Sequence, residues 1–490
     1  MRKTLVLGGP GAGKTERLLR KILRALEDNV PPSKIAFASF TKGAVEVAIK
    51  RACDMFGLTP DDLPNFRTIH SFAFREIGLR REDVIGDDHL AAVSEITGEL
   101  ITTLEDPFSD APARGRQGDP LLTLDHYART TGRALIDAWH AHGSELEWHR
   151  LLRFSKAYAA YKADEGVIDF TDMLTAYASG PFPPLDIELA VVDEGQDLSF
   201  AQWAVAFKLF ANANEFVIGG DDMQMVHHWA GADEERFLGL RSEGFAIENL
   251  GLSHRLARRP FAIAAEIGKR IERKYERDWR PADREGSVDW VSSAAEVDLS
   301  EGKDWLLLAR TRAQLPGLAI AARDQGVVYS IKGEPSVRWD DVRAIRAHEA
   351  LRAGRRIARE DADALGKAAG LEFAAFEGEK SAAALGYDAG RIWHDALTGI
   401  NIEQREYYLT VLRRGGKLDP DAPRVRIETI HGAKGAEAES VVLATDMTYR
   451  TSKGMELSPD SEHRVFYVGA TRQRDNLFLI APKTAYEYRI

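Results

Sequence analysis

The chain reads as two α/β domains with buried parallel sheets, each carrying a mostly helical insertion. Three observations carry this reading. Short, wholly apolar, β-rich runs recur, and each ends in a polar or glycine-rich turn. Helical patterns follow these runs, as in a sheet covered on both faces. The length of 490 residues exceeds what one core holds and suits roughly two to four domains.

In the first half the apolar runs are Thr4–Leu7, Ile35–Ser39, Leu189–Val192 and Phe216–Ile218. A helix follows the first at once, with Leu18, Leu19, Ile22, Leu23 and Leu26 on one stripe. Between the second and third runs lies an insertion: a Pro/Gly-rich loop over residues 105–120, then amphipathic helix expected from about Leu121 to Lys162. The second half repeats the pattern with Val288–Val291, Asp304–Leu308, Val327–Ile331, Val425–Thr429, Ser440–Ala444 and Leu477–Ile480. An Ala/Arg/Glu-rich helical block over about 337–417 interrupts it. In such sheets a ligand is expected at the carboxyl ends of the strands.

Two segments carry chemistry at those ends. Gly8, Gly9, Pro10, Gly11, Ala12, Gly13, Lys14 and Thr15 fit G-x4-G-K-T directly between a strand and a helix. Glycines let backbone N–H groups curl round a phosphate, and the helix N-terminus adds a favourable dipole. Lys14 is expected to neutralise β- and γ-phosphates, and Thr15 to offer its hydroxyl to Mg²⁺. The run Leu189–Val192 delivers two carboxylates: Asp193 to hold the Mg²⁺, and Glu194 to position and polarise an attacking water. These residues point to ATP and Mg²⁺.

The continuation Gly195–Gln196–Asp197 makes DEGQD, which resembles the DExQD signature of UvrD/Rep-like superfamily 1A DNA helicases. The rest of that family's motif series follows in order. Ala38–Ala44 resembles its "FTNKAA" segment, Thr68–Phe72 its "T-x-H-S-F", and Asp169–Leu174 its "DFxDLL". Gly220–Gln224 with Trp229 and Gly231–Ala232 resembles "GDxxQxIYxWRGA", and Leu252–Arg255 stands where the family has "NYR". Leu308–Arg312, Thr429–Glu437 and Phe466–Arg472 resemble "LxRT", "TxHxAKGLE" and "YVALTR".

The resemblance implies two RecA-like P-loop domains with parallel sheets, each carrying a mostly helical insertion. It divides the chain into a first domain in two parts (1–75 and 161–250) around an insertion at 76–160. A second domain (251–336 and 419–490) surrounds a reduced insertion at 337–418. It implies that Gln224 senses the γ-phosphate, that Arg255 and Arg472 act as arginine fingers, and that Glu437 contacts the ribose, with Arg17 and His254 near the base. For the DNA track it implies stacking on Phe40 and Trp229, with His227 in place of a tyrosine, and phosphate contacts from Thr41, His70, Arg310 and His431. Partners implied are single-stranded and forked DNA, with 3′→5′ movement, and the chain is expected to be a monomer in isolation.

This sequence departs from the family at several points. Only seven residues precede Gly8, so an upstream adenine-reading glutamine motif is not expected, and Glu16 stands where the family has a base-sandwiching arginine. With His254 in place of a tyrosine, nucleotide choice is expected to be relaxed. Ala230 replaces an arginine, and the chain ends soon after Arg472, so no terminal nuclease is expected.

Composition bounds the rest. No apolar run approaches the ~20 residues of a membrane span, the start is too short for a signal peptide, and a cytoplasmic location is expected. Cys53 is the single cysteine, which excludes internal disulfides and cysteine-based metal sites. A net charge of −11 argues against a protein that coats DNA with a basic surface, though not against a local basic and aromatic track. Two alternatives stay open: a translocase that strips proteins with little unwinding, and a nucleotide-gated regulatory subunit that binds DNA. The complete set Glu194, Arg255 and Arg472 speaks against the second.

Overall fold

The computed structural model describes residues 1–39, 42–101, 120–141, 146–227 and 231–490. The chain divides into two compact units: Met1–His254 with Ile271–Arg280, and Arg255–Arg270 with Pro281–Ile490. A ten-residue strap therefore returns to the first unit from within the second unit's sequence.

The first unit is built on β1 (Arg2–Gly8), β2 (Ile35–Ser39), β3 (Phe66–Thr68), β4 (Leu189–Val192), β5 (Glu215–Gly220) and β6 (Ala246–Leu250). Their order is β3-β2-β4-β5-β1-β6, every pair parallel. Side chains alternate between two cores. Leu5, Leu7, Ala36, Ala38, Ala190, Val192, Phe216 and Ile218 pack with helices Ile69–Ile77, Phe170–Ser179 and Phe200–Leu209. Val6, Ile35, Phe37, Leu189, Val191 and Val217 pack with helices Lys14–Glu27 and Lys42–Phe56. Both faces are covered, which is why the strands read as unbroken apolar runs. β3 and β6 escape that signature because they are edge strands: β3 is three residues long, and β6 carries Glu248 and Asn249 on a half-exposed edge.

The helix expected from Leu121 to Lys162 is instead three: Pro120–Thr130, Leu135–Ala141 and Trp148–Glu165. Gly132, left-handed at φ 66°, stops the first, because that conformation breaks the helical ladder. Apart from Pro120, the Pro/Gly-rich loop lies outside the described residues. These helices share a small core with Asp87–Thr97, through Leu90, Val93, Leu122, Leu151, Phe154 and Tyr158.

A buried ionic cluster fastens this insertion to the sheet domain. Asp169 caps helix Phe170–Ser179 by accepting from the amides of Thr171 and Asp172 at 2.9 and 2.8 Å. The same carboxylate meets Arg129 at 2.6 and 2.9 Å, Lys162 at 2.6 Å and His126 at 3.3 Å. Burial opposes its charge, but His126 and Arg129 hold it well below the usual carboxylate range.

The second unit contains β7 (Ser287–Val291), β8 (Trp305–Ala309), β9 (Tyr329–Ile331), β10 (Glu334–Pro335), β11 (Val425–Thr429), β12 (Ala438–Ala444) and β13 (Gln473–Ile480). Their order is β10-β9-β11-β8-β12-β13-β7, parallel except for the β9–β10 hairpin. Each unit is thus an α/β fold of the RecA-like kind. The helical block shares the sheet's core: Val342, Ile345 and Leu351 of helix Trp339–Arg352, Leu365 of Arg359–Ala369, and Tyr407 and Tyr408 of Ile402–Arg413 cluster with Trp305, Leu307, Val425 and Ile427. Among the described residues no helix is long and apolar enough to cross a membrane.

Removing one partner from a buried ionic cluster leaves uncompensated charge. Asp169→Asn is therefore expected to cost about 3–5 kcal/mol in chemical denaturation at neutral pH. Because Asp169 stays ionised in the folded chain to a lower pH than in the unfolded one, its contribution is complete above the ordinary carboxylate range and is lost as pH falls below that range and through the lowered folded value. The gap between wild type and variant should close in acid. A gap that persisted at low pH would assign the loss to the helix cap instead.

Candidate active site

In the first sheet β4, β5 and β1 lie side by side, so the turns that leave them open at one edge. Gly8–Thr15 leaves β1 and enters helix Lys14–Glu27. Gly13, at φ 80°, takes the capping position, a conformation that L side chains rarely adopt. Gly9 is required for a different reason: a Cβ there would lie 2.5 Å from the Trp279 indole, which packs against the loop. The loop is further held by Ser253 Oγ, which donates to the Pro10 carbonyl at 2.8 Å, and by the His254 amide, which donates to Gly11 at 2.8 Å. Lys14, buried, donates from Nζ to the Gly8 carbonyl at 3.0 Å.

Thr15 Oγ1 donates to Asp193 Oδ2 at 2.9 Å. The Asp193 carboxyl is pushed up to about 6, first by burial and then by the Glu194 charge, against the pull of Thr15 and Lys14. Among the described residues no group of three or more His, Cys, Asp or Glu side chains could hold a metal ion. A hydroxyl beside one carboxylate, next to a phosphate loop, nonetheless fits Mg²⁺, which takes few protein oxygens and completes its shell with phosphate and water.

Glu194 is one of three non-glycine residues described with positive φ, at 54°, a strained backbone of the sort that gathers at functional sites. Gln196 Nε2 donates to its carboxylate, and Gln196 Oε1 accepts from the Asp221 amide at 3.0 Å. Asp221 Oδ2 then accepts from Gln224 Nε2 at 2.6 Å. Glu194 and Gln224 are therefore ends of one hydrogen-bonded chain across the β4 and β5 turns.

The other expected residues of this unit are more scattered. Arg17 pairs with Glu248 on β6. His70 sits in the first turn of helix Ile69–Ile77, edge-on to Phe170 with ring centroids 6.4 Å apart. His227 is half-buried, and its carbonyl accepts from Ala232 at 3.3 Å. Phe40, Thr41 and Trp229 lie outside the described residues.

In the second unit the expected residues separate to opposite edges of the sheet. Arg310 and His431 follow β8 and β11, at their carboxyl ends. Glu437 and Arg472 precede β12 and β13, at their amino ends, and Arg255 joins them through a 2.7 Å ion pair with Glu437. Arg474 also reaches Glu437, at 3.2 Å. Arg472 is only 1% exposed, with Nε donating to the Val468 carbonyl at 2.9 Å and Nη2 to Thr471 Oγ1 at 3.0 Å. Arg310 grips Glu462 with two bonds of 2.6 and 2.7 Å, so its charge is already matched. His431 is pushed down to about 4 by burial and then by Arg310 and Lys434. It is a neutral imidazole at physiological pH.

Sequence reasoning passed over Arg277 and Trp279, which lie on the strap, and gave no role to Ser253 within the segment set against "NYR". One signal was available. Asp221 and Asp222 are adjacent carboxylates in an apolar stretch, and such a pair requires a counterion.

Residues 1–243 match the UvrD/REP helicase N-terminal domain, and residues 410–484 the UvrD-like helicase C-terminal domain. The ATP-dependent DNA helicase PcrA of Leuconostoc citreum is 23% identical, over 67% of this chain and 48% of its own length. The ATP-dependent DNA helicase Rep of Buchnera aphidicola is 21% identical, over 51% of this chain and 38% of its own. This chain thus spans about half or less of these relatives. YjcD of Bacillus subtilis is 21% identical over 98% of this chain and 76% of its own length. The arterivirus nonstructural protein 10 helicase overlays 98% of this chain and 59% of that one at 12% identity, with a TM-score of 0.34. That overlay is too loose to carry any argument.

The packing of Trp279 on the phosphate loop has a measurable consequence. Gly9→Ala is expected to lose about 1–3 kcal/mol of stability by overpacking and to weaken nucleotide binding. Trp279→Leu should relieve part of that loss in the double variant. Strictly additive losses, read by thermal melting and a fluorescent ATP analogue, would mean that the loop and the indole are not in contact.

Proposed function

This chain belongs to the UvrD/Rep-like family of superfamily 1 helicases, and we propose that it is an ATP-dependent DNA translocase and helicase that moves on single-stranded DNA. The observation that carries the reading is the convergence at one sheet edge of the phosphate loop, the Thr15–Asp193 pair and the chain from Glu194 to Gln224.

In this reading the loop amides and Lys14 bind the β- and γ-phosphates, which requires Lys14 Nζ to leave the Gly8 carbonyl. Thr15 and Asp193 hold Mg²⁺, which supplies charge neutralisation on the phosphates. Glu194 orients the attacking water and takes up its proton, helped by Gln196, which fixes the carboxylate. Gln224 contacts the γ-phosphate, and its link to Asp221 ties that contact to the segment that runs on to His227 and Trp229. Arg255 and Arg472 stabilise the charge of the transferring group. To do so Arg255 must exchange Glu437 for phosphate, and Arg472 must loosen its hold on the Val468 carbonyl. DNA is held by stacking on Phe40, Trp229 and His227, worth ~1–3 kcal/mol per base, and by Thr41, His70, Arg310 and a neutral His431.

Hydrolysis is accordingly expected to be slow alone and strongly stimulated by single-stranded DNA. Lys14→Ala and Glu194→Gln should both abolish turnover, while only Glu194→Gln keeps tight ATP binding. Equal rates with and without DNA would remove the coupling from this picture.

Movement is expected to run 3′→5′ along the gripped strand, because the track residues resemble those of the 3′→5′ branch. Strand-displacement assays should then show unwinding from a 3′-tailed duplex. Efficient displacement from a 5′-tailed duplex alone would reverse the polarity and leave the ATPase chemistry intact.

A further inference from the structure

The strap Ile271–Arg280 brings a buried guanidinium to the phosphate-sensing turn. Asp221 and Asp222 are both completely buried, and the Arg277 side chain is 4% exposed. Arg277 Nη1 lies 3.0 Å from Asp221 Oδ1, and Nη2 is bonded to Asp222 Oδ1. The strap is itself pinned around this contact. The Tyr275 amide donates to Asp222 Oδ2 at 2.8 Å, and the Tyr275 hydroxyl donates to the carbonyls of Phe237 and Leu238 at 3.0 and 2.8 Å. Further along, the Arg280 amide donates to Gly251 at 2.7 Å, and the Ser253 amide donates back to Arg280 at 2.8 Å.

Two adjacent carboxylates cannot both stay ionised in an apolar interior without a cation beside them. Burial pushes the Asp222 carboxyl up and Arg277 pulls it back. Asp221 is the more consequential partner, since its other oxygen holds Gln224 Nε2 and its amide holds Gln196. A planar fork can serve two carboxylates at once, which a single ammonium does less well.

We propose that Arg277 is a positioning residue for nucleotide hydrolysis, setting Gln224 by neutralising and orienting the Asp221 carboxylate. The proposal rests on the reading of Glu194 and Gln224 given above. The chain on both sides of the strap belongs to the second unit, while Arg277 and both carboxylates lie within the first.

The test uses the full chain with Mg-ATP and a saturating oligothymidine strand. Arg277→Lys is expected to lower kcat ~10-fold while affinity for a fluorescent ATP analogue stays within ~2-fold, as loss of an interaction made chiefly in the transition state requires. The double variant Arg277→Lys/Gln224→Ala should be no slower than Gln224→Ala alone, because the two act through one contact. Should Arg277→Lys not melt as the wild type does, Arg277→Gln/Asp222→Asn, which removes the cation together with one carboxylate, replaces it with the same expected values. Wild-type kcat in the variant, losses that multiply in the double variant, or a parallel loss of nucleotide affinity would each overturn the proposal. A wild-type chain that hydrolyses no ATP with or without the strand, or a Gln224→Ala variant with unchanged kcat, would instead remove the reading beneath it.

Discussion

A strand buried on both faces has no place for a polar side chain except at its ends. In the first sheet that constraint empties β1, β4 and β5 of chemistry along their lengths and concentrates it where they stop. Because β4, β5 and β1 are neighbours, the phosphate loop, the Asp193–Glu194 pair and the Asp221–Gln224 turn meet without any long-range design beyond strand order. The strained backbone at Glu194 and the left-handed Gly13 mark where the chain turns sharply enough to aim side chains outward from that edge.

The same burial makes every carboxylate near the site depend on a partner. Asp193 has Thr15 and Lys14 beside it and is still pushed up to about 6 by burial and Glu194, an environment suited to a cation. Asp169 is compensated by Arg129, Lys162 and His126, and so joins the helical insertion to the sheet domain. Asp221 and Asp222 share Arg277. These clusters do different work, but each is the price of placing charge where water does not reach.

In the second unit a parallel sheet with two usable edges sorts the expected residues by position in the strand. Residues that follow a strand, Arg310 and His431, fall on one edge. Residues that precede a strand, Glu437 and Arg472, fall on the other, with Arg255 drawn to Glu437 by charge. The pairs Arg310–Glu462 and Arg255–Glu437 show that a motif arginine need not be a waiting cation. Any role for it in binding begins with the exchange of one anion for another.

Much of this was legible in the amino-acid order, because it is local. Apolar runs announced β1, β2, β4 and β5 through burial on both faces, and Gly8–Thr15 announced a phosphate loop through spacing alone. Edge strands β3 and β6 carried no such pattern, and the break at Gly132 was hidden within a continuous amphipathic stretch. What only the tertiary structure decided is which distant charges meet. Arg129 lies forty residues before Asp169 in the chain, and Arg277 follows Asp221 by more than fifty. A buried carboxylate announces that it needs a cation, but the sequence does not say which one, because that choice is made by the path of the chain through space.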